Sequence, residues 1–261
     1  MSSEQGKLFI VGTPIGNMED ITLRALRVLR EADLVAAEDT RHTGLLLARH
    51  AIKKPLVSYH EFNEAKRTPE LVRALQEGRR IALVSDAGMP TVSDPGQRLI
   101  RAAIDAGIAI EVIPGVSAIT TALVASGIGA APRRSELPVA TGPPVAAILA
   151  AKSGAPVRRS HGEGGFMFHG FLPHKSGQRR TALSRVAPLP CTLIFFESPY
   201  RLLKSLRDMR DVLGNRHVVV ARELTKKFEE ILHGDIETIL KKLENRSIKG
   251  EITLVVEGSK E

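Results

Sequence analysis

Four stretches of this chain combine residue types that do chemistry. Gly12-Thr-Pro-Ile-Gly-Asn17 follows a short apolar run, and its glycines permit tight backbone and close ligand approach. The spacing is Gly-x-x-x-Gly, not the Gly-x-Gly-x-x-Gly of dinucleotide folds, and no Gly-Lys-Ser/Thr of a P-loop appears. A structural strand-to-helix turn would use the same residues. Glu38-Asp-Thr-Arg-His-Thr-Gly44 sets two adjacent acids beside Arg41 and His42. Asp39 or Thr40 alone is enough to cap a following helix, so five polar residues favour a contribution to a site. Ser85-Asp-Ala-Gly-Met-Pro-Thr-Val-Ser-Asp-Pro-Gly96 is long for a connection in a compact α/β unit. Its two Gly, two Pro and two Asp describe a shaped loop that carries carboxylates. Pro114-Gly-Val-Ser117 runs into a helix whose first amides can hold a polar ligand edge, although Ser117 also serves as a simple N-cap.

The elements that position these loops follow from hydrophobic periodicity. Strands are expected at Leu8–Gly12, Leu34–Ala37, Pro55–Tyr59, Ile81–Val84 and Ile108–Ile113. Helices are expected around residues 21–29, 45–51, 68–76, 97–106 and 117–125. Five alternations of strand and helix predict a parallel sheet covered on both faces, with ligands outside the carboxyl ends of its strands. All four loops lie at such ends. The second half reads as strands at 166–169, 192–196, 217–221, 230–232 and 251–256, with helices at 178–186, 200–213 and 235–244. Two successive strands before the last helix predict a mixed sheet. The fold class is therefore α/β, with two α/β domains. The expected divisions are an N-terminal domain over 1–127, a flexible Ala/Gly/Pro-rich insertion and linker over 128–165, and a C-terminal domain over 166–261.

Composition narrows the partners. The chain has 261 residues, 43% of them hydrophobic and 25% charged, which is ordinary for a globular protein. A single cysteine excludes an internal disulfide framework and a cysteine-rich zinc site, and no metal is expected. No apolar run approaches a membrane span, and the expectation is a soluble, cytoplasmic protein. The net charge of +8 lies wholly in residues 131–261; residues 133–185 hold nine Lys and Arg against Glu136 and Glu163. A balanced half joined to a basic half suits a compact ligand on one side and a polyanion on the other, while a basic surface kept for solubility is the plainer account. Two Tyr and no Trp argue against an aromatic platform for single strands.

With these loops in view, the chain resembles the ribosomal RNA small subunit methyltransferase I family. The likeness rests on Gly12–Asn17, Ala37–Gly44, Ala82–Gly88, Asp94-Pro-Gly96 and Pro114-Gly115. In the second half it rests on Gly170-Phe-Leu-Pro173, Lys175-Ser176, Arg179-Arg180, Phe196-Glu-Ser198, Tyr200-Arg201, Ala221-Arg-Glu-Leu-Thr-Lys226 and Gly250-Glu251. It spans about residues 7–257. Two departures stand out: roughly thirty extra residues before the Phe-rich strand, and Met89 where the family commonly has Thr.

The resemblance implies a tetrapyrrole-methylase (class III) fold and S-adenosylmethionine as cofactor, held between the two domains. Carried over residue by residue, Pro14, Ser85, Asp86, Ala87, Gly88, Pro90, Pro114, Gly115, Ser117 and Ala118 line that site, with Glu197 closing it. The implied reaction is 2′-O-methylation of cytidine 1402 of 16S ribosomal RNA in the small subunit, by a homodimer. Asp39 and Glu223 are the candidate bases. Arg41, His42, Lys175, Arg179, Arg180, Arg222 and Lys226 are the candidate RNA contacts, each equally open to a structural ion pair or a solvated face. A small-molecule methylase of tetrapyrrole type and a non-catalytic ribosome-binding factor are the alternatives.

Overall fold

The computed structural model describes residues 6–128 and 165–259. The insertion expected over 128–165 lies outside them apart from its two end residues. The chain divides into two compact units. One holds residues up to Thr121 together with Leu224–Lys227, and the other holds Ala122–Glu223 and the chain from Phe228 onward.

The first unit contains five parallel strands: β1 (Lys7–Val11), β2 (Leu34–Ala37), β3 (Leu56–Ser58), β4 (Arg80–Val84) and β5 (Ala109–Ile113). Their order is β3-β2-β4-β1-β5. The strands are apolar at nearly every position because both faces are covered. Phe9, Val11, Val35, Ala37, Ala82 and Val84 pack with α1 (Leu23–Glu31) and α2 (Thr40–Arg49). Leu8, Ile10, Ala36, Ile81 and Leu83 pack on the opposite face with α3 (Glu64–Gln76) and α4 (Gln97–Asp105). A right-handed crossover places its helix according to the direction the chain takes. The chain leaves β1 towards β2 and leaves β4 towards β5, in opposite directions from neighbouring strands. The carboxyl ends of β1 and β4 therefore flank the crevice where such sheets hold ligands.

Two helices begin earlier than periodicity indicates. α2 starts at Thr40 because the Asp39 carboxylate accepts from the Arg41 N–H and caps it, and Gly44 lies inside the helix. α3 starts at Glu64 although Pro69 sits within it. A proline inside a helical pattern reads as a boundary, which pushes the expected start to Thr68. α5 (Ala118–Ser126) follows β5 as expected.

In the second unit the order is β6 (Phe166–Phe171), β7 (Thr192–Glu197), β10 (Ile252–Val256), β8 (His217–Arg222) and β9 (Glu230–Asp235). β6 pairs with β7 in parallel, and the remaining pairs are antiparallel, giving the expected mixed sheet. α6 (Ser176–Val186), α7 (Leu202–Leu213) and α8 (Ile236–Leu243) cover it. Leu183, Phe195, Leu206, Met209, Val218 and Leu254 are wholly buried in its core.

Candidate functional site

The four loops of the first unit meet at the carboxyl edge of its sheet. Thr13 and Gly88 exchange two backbone hydrogen bonds, of 2.9 and 3.1 Å, as an isolated antiparallel bridge. The Thr13 hydroxyl donates to the Ser85 carbonyl at 3.1 Å. These bonds fix the loop after β1 to the loop after β4. On the other side Gly12 donates to the Ile113 carbonyl at 3.0 Å, and its backbone lies directly on Gly115. Pro14, Ser85, Gly88 and Pro90 are buried by this packing, whereas Ala87 and Pro114 are exposed and Asp86, Gly115, Ser117 and Ala118 are half-buried.

The loop after β2 joins the same edge through carboxylates. The Asp39 amide donates to Asp86 Oδ1 at 3.0 Å, and the Asp86 amide donates to Glu38 Oε2 at 3.3 Å. Each loop thus supplies an amide to the other's acid. Burial pushes the Glu38 carboxyl above its ordinary range, the Asp86 N–H offsets part of that, and Asp94, Asp86 and Asp39 add to it by repulsion. Burial likewise raises Asp94, against a Ser85 hydrogen bond that favours its anion. Asp39 behaves oppositely. Its carboxylate is chelated by the Arg41 guanidinium at 2.6 and 3.1 Å, which holds it well below the usual carboxylate range. The Arg41 side chain and His42 face solvent.

Glu38, Thr13 and Asp94 are members of this group that the candidate list lacked. The signal for Glu38 and Asp94 was their place in motifs already noted. A fifth strand-end segment, after β3, was also missed. There Asn63 Nδ2 bonds the Ser58 carbonyl and hydroxyl and His60 Nε2, while Phe62 stands 91% exposed. Its short strand and Tyr-His-Glu-Phe run gave no glycine or acid pair to mark it.

The edge suits S-adenosylmethionine on chemical grounds. Small residues leave room for a purine ribonucleoside. Asp86, Asp94 and Glu38 are acceptors of the kind that an ammonium or ribose hydroxyls require, and a carboxylate charge favours a sulfonium. Gly12 and Gly115 lack the side chains that would hold the first and fourth loops apart, so the two loops close onto each other.

In the second unit two expectations are corrected. Arg179 does not face a polyanion. It is 3% exposed, its Nε and Nη2 meet Asp208 Oδ2 at 2.7 and 2.6 Å, and Nη1 donates to the Pro173 and His174 carbonyls. The three- to four-residue spacing that put Arg179 with Lys175 instead turns it into the α6–α7 contact. Glu197, expected at the cofactor, has a fully buried carboxylate. It is ion-paired to Arg201 at 2.7 Å, accepts from the Ser198 N–H at 2.7 Å, and is hydrogen-bonded by the Ser205 hydroxyl. Lys175 and Arg180 are exposed, the latter paired with Asp211 at 2.9 Å. Arg222 ends β8 and bonds Glu230 at 3.1 Å. Glu223 accepts from the Glu251 amide at 3.0 Å and donates its own amide to the Glu251 carbonyl at 2.9 Å. Lys226 belongs with the first unit, its side chain against Gly16, and the neighbouring Thr225 hydroxyl accepts from the Asn17 amide at 3.0 Å.

Residues 7–240 match the model of the Tetrapyrrole (Corrin/Porphyrin) Methylases. A ribosomal RNA small subunit methyltransferase I of Halalkalibacterium halodurans is 47% identical over 99% of this chain and 78% of its own length. One of Thermotoga maritima is 42% identical over 97% of this chain and 99% of its own. Among solved structures, a uroporphyrin-III C-methyltransferase from Thermus thermophilus complexed with S-adenyl homocysteine superimposes with a TM-score of 0.59 at 19% identity, covering 96% of this chain and 97% of that one. A carboxyl-edge cluster of bonded loops on a β3-β2-β4-β1-β5 sheet, together with these near full-length likenesses, makes the chain a member of the tetrapyrrole methylase family and, within it, of the ribosomal RNA small subunit methyltransferase I group.

Proposed function

We propose that this chain methylates the ribose 2′-hydroxyl of cytidine 1402 in 16S ribosomal RNA of the small subunit. The observation that carries this is the near full-length identity to proteins named as small-subunit RNA methyltransferases. S-adenosylmethionine is the donor and, when bound, supplies an electrophilic methyl group on a positive sulfur.

The protein's part is orientation and proton management. Pro14, Ser85–Gly88, Pro90 and Pro114–Ala118 hold the donor at the sheet edge, with Asp86 as its charged anchor. The incoming ribose hydroxyl is a weak acid, so its proton needs an acceptor as the new O–C bond forms. Asp39 and Glu223 are the proposed acceptors. The Arg41 pair lowers the proton affinity of Asp39, which makes it the weaker acceptor of the two. Arg41, His42, Lys175, Arg180, Arg222 and Lys226 are the proposed contacts to the RNA backbone. The working form is a cytoplasmic homodimer.

The test is mass mapping of 16S ribosomal RNA from cells lacking this protein, before and after its return, together with tritiated cofactor offered to purified small subunits. A methyl group on the ribose at position 1402 that appears only with the protein supports the reading. Label passing to a tetrapyrrole precursor and not to the particle would overturn it, as would cofactor binding with no transfer to any particle.

A further inference from the structure

A cavity of about 310 Å³ opens in the second unit where β8 ends and β10 begins. Its floor is apolar, built from Leu202, Val220, Leu232 and Leu243, and its charged lining is Arg222, Arg246 and Lys249 with the carboxylates of Glu223 and Glu230. We propose that this cavity takes one ribonucleotide of the substrate RNA, with the base on the apolar floor and the phosphate against Arg222, Arg246 and Lys249. The proposal rests on the RNA-methylation reading above and names where the second unit grips that substrate.

Charge and geometry support this occupant. Glu230 sits between the two arginines, accepting from Arg222 Nε at 3.1 Å and from Arg246 Nη2 at 2.8 and 3.0 Å. Burial works against the Glu230 anion, but the Arg246 and Arg222 guanidiniums override it and hold the carboxyl below its usual range. One carboxylate therefore fixes two guanidiniums side by side without using all their donors. Among the described residues, the Lys249 ammonium makes no ion pair. Two positioned guanidiniums and an ammonium around an apolar hollow match a phosphate joined to a base. The volume lies at the low end of small-ligand sites, which suits a single nucleoside. Phe228, 66% exposed, also lines the cavity.

The backbone at the mouth takes two left-handed residues. Glu223 has φ +52°, and Gly250 has φ +91° with the Glu223 carboxyl lying where a Cβ would be. Glu223 and Glu251 tie the two strand ends together through the paired bonds described above. Glycine takes this conformation at no steric cost, and only glycine leaves room there for the Glu223 carboxyl. These bonds bring two separate sequence motifs, Ala221–Lys226 and Gly250-Glu251, to one place.

The experiment compares wild type with Arg246→Ala/Lys249→Ala and with Ser247→Trp. Ser247 is exposed on the cavity lining, so an indole there fills the hollow without entering the core. Three readouts are used: saturation-transfer NMR with cytidine 5′-monophosphate, affinity for purified small subunits by sedimentation, and calorimetric affinity for S-adenosylmethionine. The expected result is loss of the nucleotide signal and at least tenfold weaker particle binding in both variants, with cofactor affinity unchanged. Nucleotide signal and particle affinity that persist in the Ser247→Trp protein overturn the proposal. Failure of the broader reading looks different: the wild type binds nucleotide in the cavity and yet transfers no methyl group to the particle.

Discussion

Gly12 and Gly115 lie backbone against backbone at the carboxyl edge of the first sheet. A Cβ on Gly12 would stand 2.7 Å from the Gly115 nitrogen, and one on Gly115 would stand 2.9 Å from the Gly12 Cα. Backbone cannot swing aside as a side-chain tip can, so Gly12→Ala should cost about 1–3 kcal/mol by overpacking and should weaken cofactor binding. Gly44→Ala is the control. It lies inside α2, and its Cβ would meet only Leu56 Cδ1 at 3.8 Å, so it should gain about 0.5–1 kcal/mol. Thermal unfolding and cofactor calorimetry measure both; equal shifts in the two variants would contradict the close approach.

Asp86 serves two purposes that substitution can separate. Its carboxylate accepts from the Asp39 amide, and it is the proposed charged anchor for the donor. Asp86→Ala removes both, and cofactor affinity should fall more than tenfold by calorimetry. Asp86→Asn keeps an acceptor for the amide and removes only the charge. An asparagine variant with full affinity would leave loop tethering as the whole role of this residue.

Glu38 makes a pH-dependent prediction. Its carboxyl is raised by burial, so just above its ordinary value the folded chain keeps a proton that the unfolded chain has lost. That contribution favours the folded state at acid pH and is lost as pH rises through the folded-state value. Glu38→Gln removes it and retains an acceptor for the Asp86 amide. The melting temperature of the variant relative to wild type should therefore rise as pH increases from the ordinary carboxylate range toward neutrality. Parallel melting curves across that range would refute the burial argument.

Arg179 and Arg180 are adjacent in sequence and opposite in role. Removing Arg179 takes away the two-pronged partner of buried Asp208, which keeps the Ser176 hydroxyl at 3.0 Å and a looser 3.6 Å contact with Arg180. The loss should therefore fall toward the lower end of the about 3–5 kcal/mol that breaking a buried pair costs. Arg180 pairs at the surface with Asp211, where such contacts contribute about 0–1 kcal/mol. Arg179→Ala should thus lower the unfolding midpoint sharply, while Arg180→Ala should leave it nearly unchanged and weaken particle binding.

Binding to the small subunit should weaken steeply with salt if the cations meet phosphates. Each phosphate contact removed lowers the slope of log affinity against log salt by about one. Arg41→Ala and Lys175→Ala should each produce that decrease, measured by sedimentation over a range of salt concentrations. A slope near zero in the wild type would exclude the polyanion partner.

Much of the fold was legible because it depends on short-range pattern. Apolar runs as short as Leu8–Val11 and Ile81–Val84, closed by Gly12 and by the Ser85-Asp86 turn residues, read as buried strands, and glycines such as Gly78 and Gly107 mark where helices stop. The early start of α3 was not legible, since Pro69 inside the helix imitates a boundary. Of the site, the four loops could be read from their composition, but the partner of each side chain could not. Arg179 and Arg180 look alike in a sequence. Burial on the α7 side decides that one is spent on Asp208, and nothing local encodes which.

The sequence by itself determined the alternation of strands and helices, the mixed second sheet, the four strand-end loops and the family. Hydrophobic period and loop composition are local properties, and they survive without coordinates. Only the tertiary structure decided that Glu38 and Asp39 bond to Asp86, that Glu197 and Arg179 are internal, and that Arg222, Arg246 and Lys249 surround one cavity. Those facts depend on which distant groups are desolvated together, and that is set by the packing of whole elements.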